Sequence, residues 1–277
     1  MSDDKKKRIL DLLASAAGIE DPVEQSRKYR NIAGSLSFEA VRSNDTWYLE
    51  EAIKTAHLVT VDTSQAYVDI VRAMAKMGTN KKDEKILHKA TELIALIDNP
   101  LSISVGLHEL VTPFAKLGID KNDEQLLSHA LELSEKIPLN TYRSSALRNL
   151  SRSLAAIYPG KAQELLDTAI ELIENSEDIE PVFRISAYCD IASLLALFND
   201  DRSNKFIKRS ISLADKIEDD FERSAVLLKI VEIETAIGNK KKDNILMNEA
   251  QSISKGITKE YYKTLAQIAI GAAGTSI

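Results

Sequence analysis

The 277-residue chain is short of the residues that make turns and crosslinks. It has 10 glycines and 6 prolines, both well under the ordinary usage of about 7% and about 5%, which excludes a turn-rich sandwich or barrel. A single cysteine excludes an intramolecular disulfide framework and any four-thiolate metal site. The four histidines, at 57, 88, 108 and 129, include no i, i+4 pair and no HExxH. No phosphate-binding glycine loop, Walker sequence or GxSxG is present, so an enzyme has no positive support, and no cofactor or metal is implied. Lys and Arg number 36 against 42 Asp and Glu, a net charge of −6 that argues against a nucleic-acid or anionic-membrane partner. The longest clear apolar run, Ile191 to Phe198 with Ser193 inside it, falls far short of the ~20 residues of a membrane span. Asp11 interrupts the short apolar stretch after the basic N-terminal residues, so no secretory signal is read there. The expected compartment is the cytoplasm, where a lone Cys189 stays a reduced thiol.

What the chain has is a period. Ile or Leu recurs at 32, 70, 110, 150, 191, 230 and 268, with spacings of 38, 40, 40, 41, 39 and 38. A second series of small residues, Ala52, Ala90, Ala130, Ala169, Ser210 and Ala250, keeps nearly the same step. Taking each Ile/Leu as an anchor, apolar residues three before, one after and four after it complete one helical stripe. The fourth position after runs Leu36, Met74, Phe114, Leu154, Leu195, Glu234 and Ala272, and the fifth is always small: Ser37, Ala75, Ala115, Ala155, Ala196, Thr235, Ala273. The residue before each anchor is polar and expected to face water. A second helix follows, with Leu87, Leu127, Leu166, Ile207 and Met247 three before its small residue.

Gly78, Gly118 and Gly238 read as C-terminal glycines of the first helices, with Pro159-Gly160 and Asn199-Asp200 in the same role elsewhere. Pro113 falls inside a first helix, where a kink is expected. The count is fourteen helices: a leading helix within 1–20, six hairpins over 23–257 and a trailing helix within 258–277. Such hairpins bury their apolar faces only by stacking. The expected fold is an all-α, right-handed superhelical α-solenoid of about seven repeats, a single domain over 1–277 with a concave inner surface.

The order Ile/Leu, Gly, Ala in Ile70-Gly78-Ala90, Leu110-Gly118-Ala130 and Ile230-Gly238-Ala250 resembles the tetratricopeptide repeat. The resemblance covers residues 23–273 and is architectural. The step here is longer, Val71, Val111 or Ser151 stands where that repeat has its first-helix glycine, and Asp83, Asp123 or Asp243 stands at its earlier second-helix alanine. The resemblance implies a protein-interaction scaffold that takes a peptide or protein segment in its concave groove. It places the side chains two before and two after each anchor in that groove. These include Arg30, Arg72, His108, Thr112, Arg148 and Arg152, with Lys76 and Lys116 one turn beyond.

Arg148 and Arg152, four apart, are expected to share one face and to favour an acidic segment. The competing reading is a salt-bridged face, because Asp69, Glu109 and Asp190 lie beside these positions. Arg143, Arg184 and Arg223 recur seven before their anchors and read as structural pairs of acids such as Asp178, Glu180, Asp219 and Asp220. His88 and His129 read as surface residues, and Cys189 as a small core residue rather than a nucleophile. An RNA-binding helical repeat is the alternative function, although the column two after the anchor shows no base-reading code; an enzyme on a solenoid frame ranks below it. In the trailing helix Leu265, Ile268, Ala269 and Ala272 are expected to pack inward. Ala266 and Ile270, with Ile277 beyond, would then be left open for a homodimer contact.

Overall fold

The computed structural model describes residues 3–177 and 179–274. Among these there is no strand, and helices make up well over half of the chain. The fourteen described helices are α1 (Asp3–Ala17), α2 (Pro22–Ser43), α3 (Thr46–Ala56), α4 (Thr63–Lys81), α5 (Glu84–Ile94), α6 (Pro100–Lys121), α7 (Glu124–Glu135), α8 (Asn140–Leu154), α9 (Pro159–Glu174), α10 (Pro181–Leu197), α11 (Arg202–Ala214), α12 (Asp220–Lys241), α13 (Asn244–Ser254) and α14 (Glu260–Gly274). The chain falls into two compact units, Met1–Ala146 and Leu147–Ile277, divided inside α8 although the sequence period runs on without a break.

Each unit is a stack of helical hairpins in chain order, the construction of an α-solenoid. In the first, α2 packs on α3 and α4, and α4 on α5 and α6. In the second, α10 packs on α11 and α12, and α12 on α13 and α14. The anchors explain why. Ile70, Leu110, Leu150, Ile191 and Ile230 are all buried, and the small second-helix residues from Ala52 to Ala250 are fully so. Burying one such Ile or Leu is worth about 1.5–3 kcal/mol, and the first helices pack both on the second helix of their own hairpin and on the next first helix.

A serine six residues before the anchor pins each stack, and nothing in the apolar pattern announces it. Ser26, Ser64, Ser104, Ser144 and Ser224 are all buried. Ser26 Oγ accepts from the Val61 N–H at 2.8 Å and the Thr60 N–H at 3.0 Å, and donates to the Val61 carbonyl at 3.1 Å. Ser104 accepts from the Leu139 N–H at 3.1 Å, and Ser224 from the Lys259 N–H at 3.3 Å. Ser26, Ser104 and Ser224 thus satisfy backbone groups of the turn that opens the next hairpin, and Ser64 accepts from the Asp98 N–H at 3.4 Å in the same way. Ile185 takes the serine's place in α10.

Gly78, Gly118 and Gly238 do not end their helices. No described glycine has a positive φ, and α4, α6 and α12 run on to Lys81, Lys121 and Lys241. The left-handed caps are Lys82, Asn122 and Lys242, with φ of 52°, 53° and 54°. The glycines serve a close approach instead: a Cβ on Gly118 would lie 2.9 Å from Leu127 Cγ and 3.0 Å from the Asp123 carbonyl oxygen. Their carbonyls accept the N–H of Asp83, Asp123 and Asp243 at 2.8–2.9 Å, and those aspartates cap the second helices. Pro159-Gly160 opens α9 rather than closing α8, and α6 continues through Pro113 as one helix.

Arg184 and Arg223 hold the ends of the preceding second helices. Arg184 donates to the carbonyls of Ile173 (3.1 Å) and Ser176 at the end of α9, and Arg223 lies 3.8 Å from Asp215, which caps α11. A cation at a helix C-terminus is favoured by the helix dipole. Asp178, the expected partner of Arg184, lies outside the described residues.

The trailing helix is rotated from the expected phase. Ala266 is fully buried and Tyr262, Leu265 and Ile270 pack against the core, whereas Ile268 is 60% exposed. α14 packs on α12 and, less, on α13. Ile277 lies outside the described residues.

Candidate functional site

In the first unit, the first helices α2, α4 and α6 present polar columns at the positions one before and two after their anchors. A ladder of ion pairs and hydrogen bonds crosses them. Arg30 pairs with Asp62. Asp69 accepts from Gln65 Nε2 at 2.9 Å and lies 3.4 Å from Arg72 Nη1, while Arg72 Nε donates to Glu109 Oε1 at 3.0 Å. The column before the anchor therefore faces the neighbouring helix as much as water; Asp69 and Glu109 are half-buried. His108 Nε2 lies 3.0 Å from Ser145 Oγ, and Thr112 is half-buried two residues after Leu110.

Lys76 and Lys116 differ. Both are exposed, six after their anchors, and among the described residues neither is in an ion pair. Their equivalent in the first hairpin is Phe38, 67% exposed. Phe38 borders an open cleft of about 790 Å³ between α2 and α4, whose wall includes Arg30, Gly34, Glu39, Gln65 and Asp69. The cleft exists where the column two after the anchor has glycine. Arg72 and Thr112 hold that register in the next two hairpins, whereas a Cβ on Gly34 would meet only Asp69 Oδ2, at an ordinary 3.6 Å. A more apolar cavity of about 350 Å³, walled by Ile9 and Leu12 of α1 and Tyr48 of α3, adjoins it through Asn31, Ser35 and Glu39.

In the second unit, Arg148 and Arg152 do not share an open face. Arg152 is exposed, but Arg148 is 8% exposed and lies 3.8 Å from Asp190. Burial pulls the Arg148 pKa down while Asp190 opposes it. Residues two before the anchor turn toward neighbouring helices here: Arg148, Cys189 and Leu228 are buried, as Val68 is in the first unit. Lys229 completes the pairing with Asp190 at 3.2 Å and donates to Ser186 at 2.7 Å. Much of the expected cationic strip is thus engaged within the fold.

The remaining ionisable groups of note are Cys189, the His88–His129 pair and Glu234. Burial pushes the Cys189 thiol up to about 11, and it lies 3.8 Å from Ser210 Oγ. His88 and His129 stand 5.2 Å apart by ring centre, with Phe114 4.6 Å from His129. His129 is half-buried rather than a plain surface residue, and burial, followed by the charge of His88, lowers its pKa. Among the described residues no group of three His, Cys, Asp or Glu side chains is placed to hold a metal, and no helix is long and apolar enough to cross a membrane. Glu234 is the anomaly. It occupies the otherwise apolar column four after the anchor, is fully buried, and both its oxygens lack a hydrogen-bond partner. Burial, and then the charge of Glu249, raises its pKa to about 8.

No family model matches the chain, and no curated protein matches it. Among solved structures it is similar to the crystal structure of Ton1535 from Thermococcus onnurineus NA1, with 13% identity, 96% of each chain covered and a TM-score of 0.26. It is also similar to the de novo designed helical repeat protein DHR64, with 14% identity, 92% of this chain and 94% of that chain covered, and a TM-score of 0.15.

Proposed function

We propose that the chain is a tetratricopeptide-like interaction scaffold of the cytoplasm, binding a segment of a partner protein along the first helices of its first unit. The observation that carries the reading is the exposed column Phe38, Lys76, Lys116 beside the Gly34 cleft. One apolar ring is followed by two cations outside the ion-pair ladder, which suits a segment with an apolar side chain followed by carboxylates. The partner is therefore an acidic peptide or protein segment. Arg30, Arg72 and His108 support the surface by holding neighbouring helices together, and Arg148 does so in the second unit. RNA is the alternative ligand, and the balance of 36 basic against 42 acidic residues disfavours it.

The test is capture of partners from native cytoplasm by the wild type, by Gly34→Arg and by Lys76→Glu with Lys116→Glu. Lys76 and Lys116 are exposed and Gly34 borders the open cleft, so the helical circular dichroism should be unchanged while capture is lost in both variants. Capture that survives both, or a salt-sensitive gel shift with RNA in place of protein capture, would reject the reading.

A further inference from the structure

The second unit carries a row of bare aromatic rings along one edge. Phe183, Phe221 and Tyr261 stand in the first turns of α10, α12 and α14 and are 65%, 60% and 70% exposed. They belong to one edge because their helices run in step. Asp190 and Lys229, each one residue before its anchor, pair at 3.2 Å between α10 and α12. Between α12 and α14, Ser224 lies 3.3 Å from Thr258, just before α14 begins. The Phe221 ring lies 5.1 Å from that of Tyr262, which lies 5.3 Å from that of Tyr261, so two of the three exposed rings join in one patch. Three large aromatics left open in successive hairpins are more than the scattered apolar exposure of an ordinary surface.

The charge around the row is mainly acidic. Glu180, Glu218, Asp219, Asp220, Glu222 and Glu260 are exposed along this edge, against the exposed Lys216, Lys255 and Lys259. Arg184 donates to the end of α9, and Arg223, part-exposed, lies 3.8 Å from the exposed Asp215. The start of each helix adds about half a positive charge, which still leaves the edge negative. Aromatic faces within a negative field attract Lys and Arg through both the ring quadrupole and the carboxylates, the alkyl stem lying on the ring.

We infer that this edge is a second docking surface, for an extended basic segment of a partner protein. Packed helices lie about 8–10 Å apart, and a segment in the extended polyproline-II form advances about 3.1 Å per residue with every third side chain on one face. The cations that reach successive rings are therefore about three residues apart in the segment. The edge acts independently of the Gly34 cleft.

The test uses the full-length chain and a fluorescein-labelled (Lys-Ser-Ser)3 peptide, read by fluorescence anisotropy. Each exposed ring under a cation is worth about two- to fivefold in affinity, so Phe183→Ser, Phe221→Ser and Tyr261→Ser together should weaken binding by about tenfold or more. A peptide of the same composition with its three lysines contiguous should bind more weakly than the spaced one, and Gly34→Arg should leave the affinity unchanged. If the triple variant loses helical circular dichroism, Glu222→Lys with Glu260→Lys carries the same test, with the same expected loss. The inference is overturned if the wild type does not bind the spaced peptide, if both sets of variants bind it as tightly, or if the two peptides bind alike. It is equally overturned if sedimentation shows a dimer that the aromatic substitutions break, because a second copy would then cover the edge.

Discussion

Replacing Glu234 by Leu should stabilise the protein, and by an amount that grows with pH. Leu36, Leu154 and Leu195 hold the same register in other hairpins, so the side chain fits the column. With the carboxyl protonated, its two unpartnered oxygens already cost about 1–3 kcal/mol of unmet hydrogen bonding. Ionisation adds to this. The carboxyl has an ordinary value of 4.5 in the unfolded chain and one raised to about 8 in the folded protein. Below pH 4.5 both states hold the proton, and the group contributes no pH dependence. Between pH 4.5 and about 8 the unfolded chain releases the proton and the folded chain keeps it, so stability falls as pH rises; above about 8 the loss is complete. The slope is at most about 1.4 kcal/mol per pH unit, and water beside the exposed Glu249 screens part of it. The advantage of Glu234→Leu over wild type should therefore widen by about 2 kcal/mol between pH 5 and pH 7.5. Urea unfolding followed by circular dichroism across this range measures it. Glu234→Gln separates the contributions: it keeps a polar group in the core but should remove the pH slope. Wild type and Glu234→Leu curves that stay parallel from pH 5 to pH 8 would refute the reasoning.

Gly34→Ala should raise stability by about 0.5–1 kcal/mol, because a mid-helix glycine is costly and the added Cβ meets only Asp69 at 3.6 Å. Gly118→Ala should lower it, with a Cβ at 2.9 Å from Leu127 and 3.0 Å from a backbone oxygen; thermal unfolding of the pair compares them directly. Ser104→Ala should cost about 1–3 kcal/mol by stranding the Leu139 N–H in the turn between α7 and α8, and hydrogen exchange should show that amide losing protection. Cys189, buried with its thiol near 11, should resist a thiol reagent at pH 8 in the native protein and react at once in urea.

The helices were legible in the sequence because their anchors repeat with the period of the fold, and α1 and α14 fall inside the expected spans 1–20 and 258–277. Gly78 and Gly118 mislead because glycine ends helices and also permits close packing; only the path of the second helix distinguishes the two uses. The serine column at 26, 64, 104, 144 and 224 was present at the same period, but a polar residue in a repeat reads as surface until its burial is known. The candidate site was less legible. Composition and spacing place Glu109 and Asp190 beside Arg72 and Arg148 but do not decide between an open cationic strip and a paired face, which depends on how the neighbouring helices pack. What marks the cleft is one residue out of pattern, Gly34, where the next hairpins carry Arg72 and Thr112. The phase of α14 is set by its packing on α12 and α13, which the spacing of its own apolar residues does not encode.

The most direct measurement of the binding account is photocrosslinking from a photoreactive phenylalanine placed at position 38. The account predicts a crosslink to a segment of a partner protein with carboxylates following an apolar residue, lost when Gly34→Arg fills the cleft. A crosslink to RNA or to a second copy of the chain, no crosslink at all, or a partner crosslink that survives Gly34→Arg would contradict it.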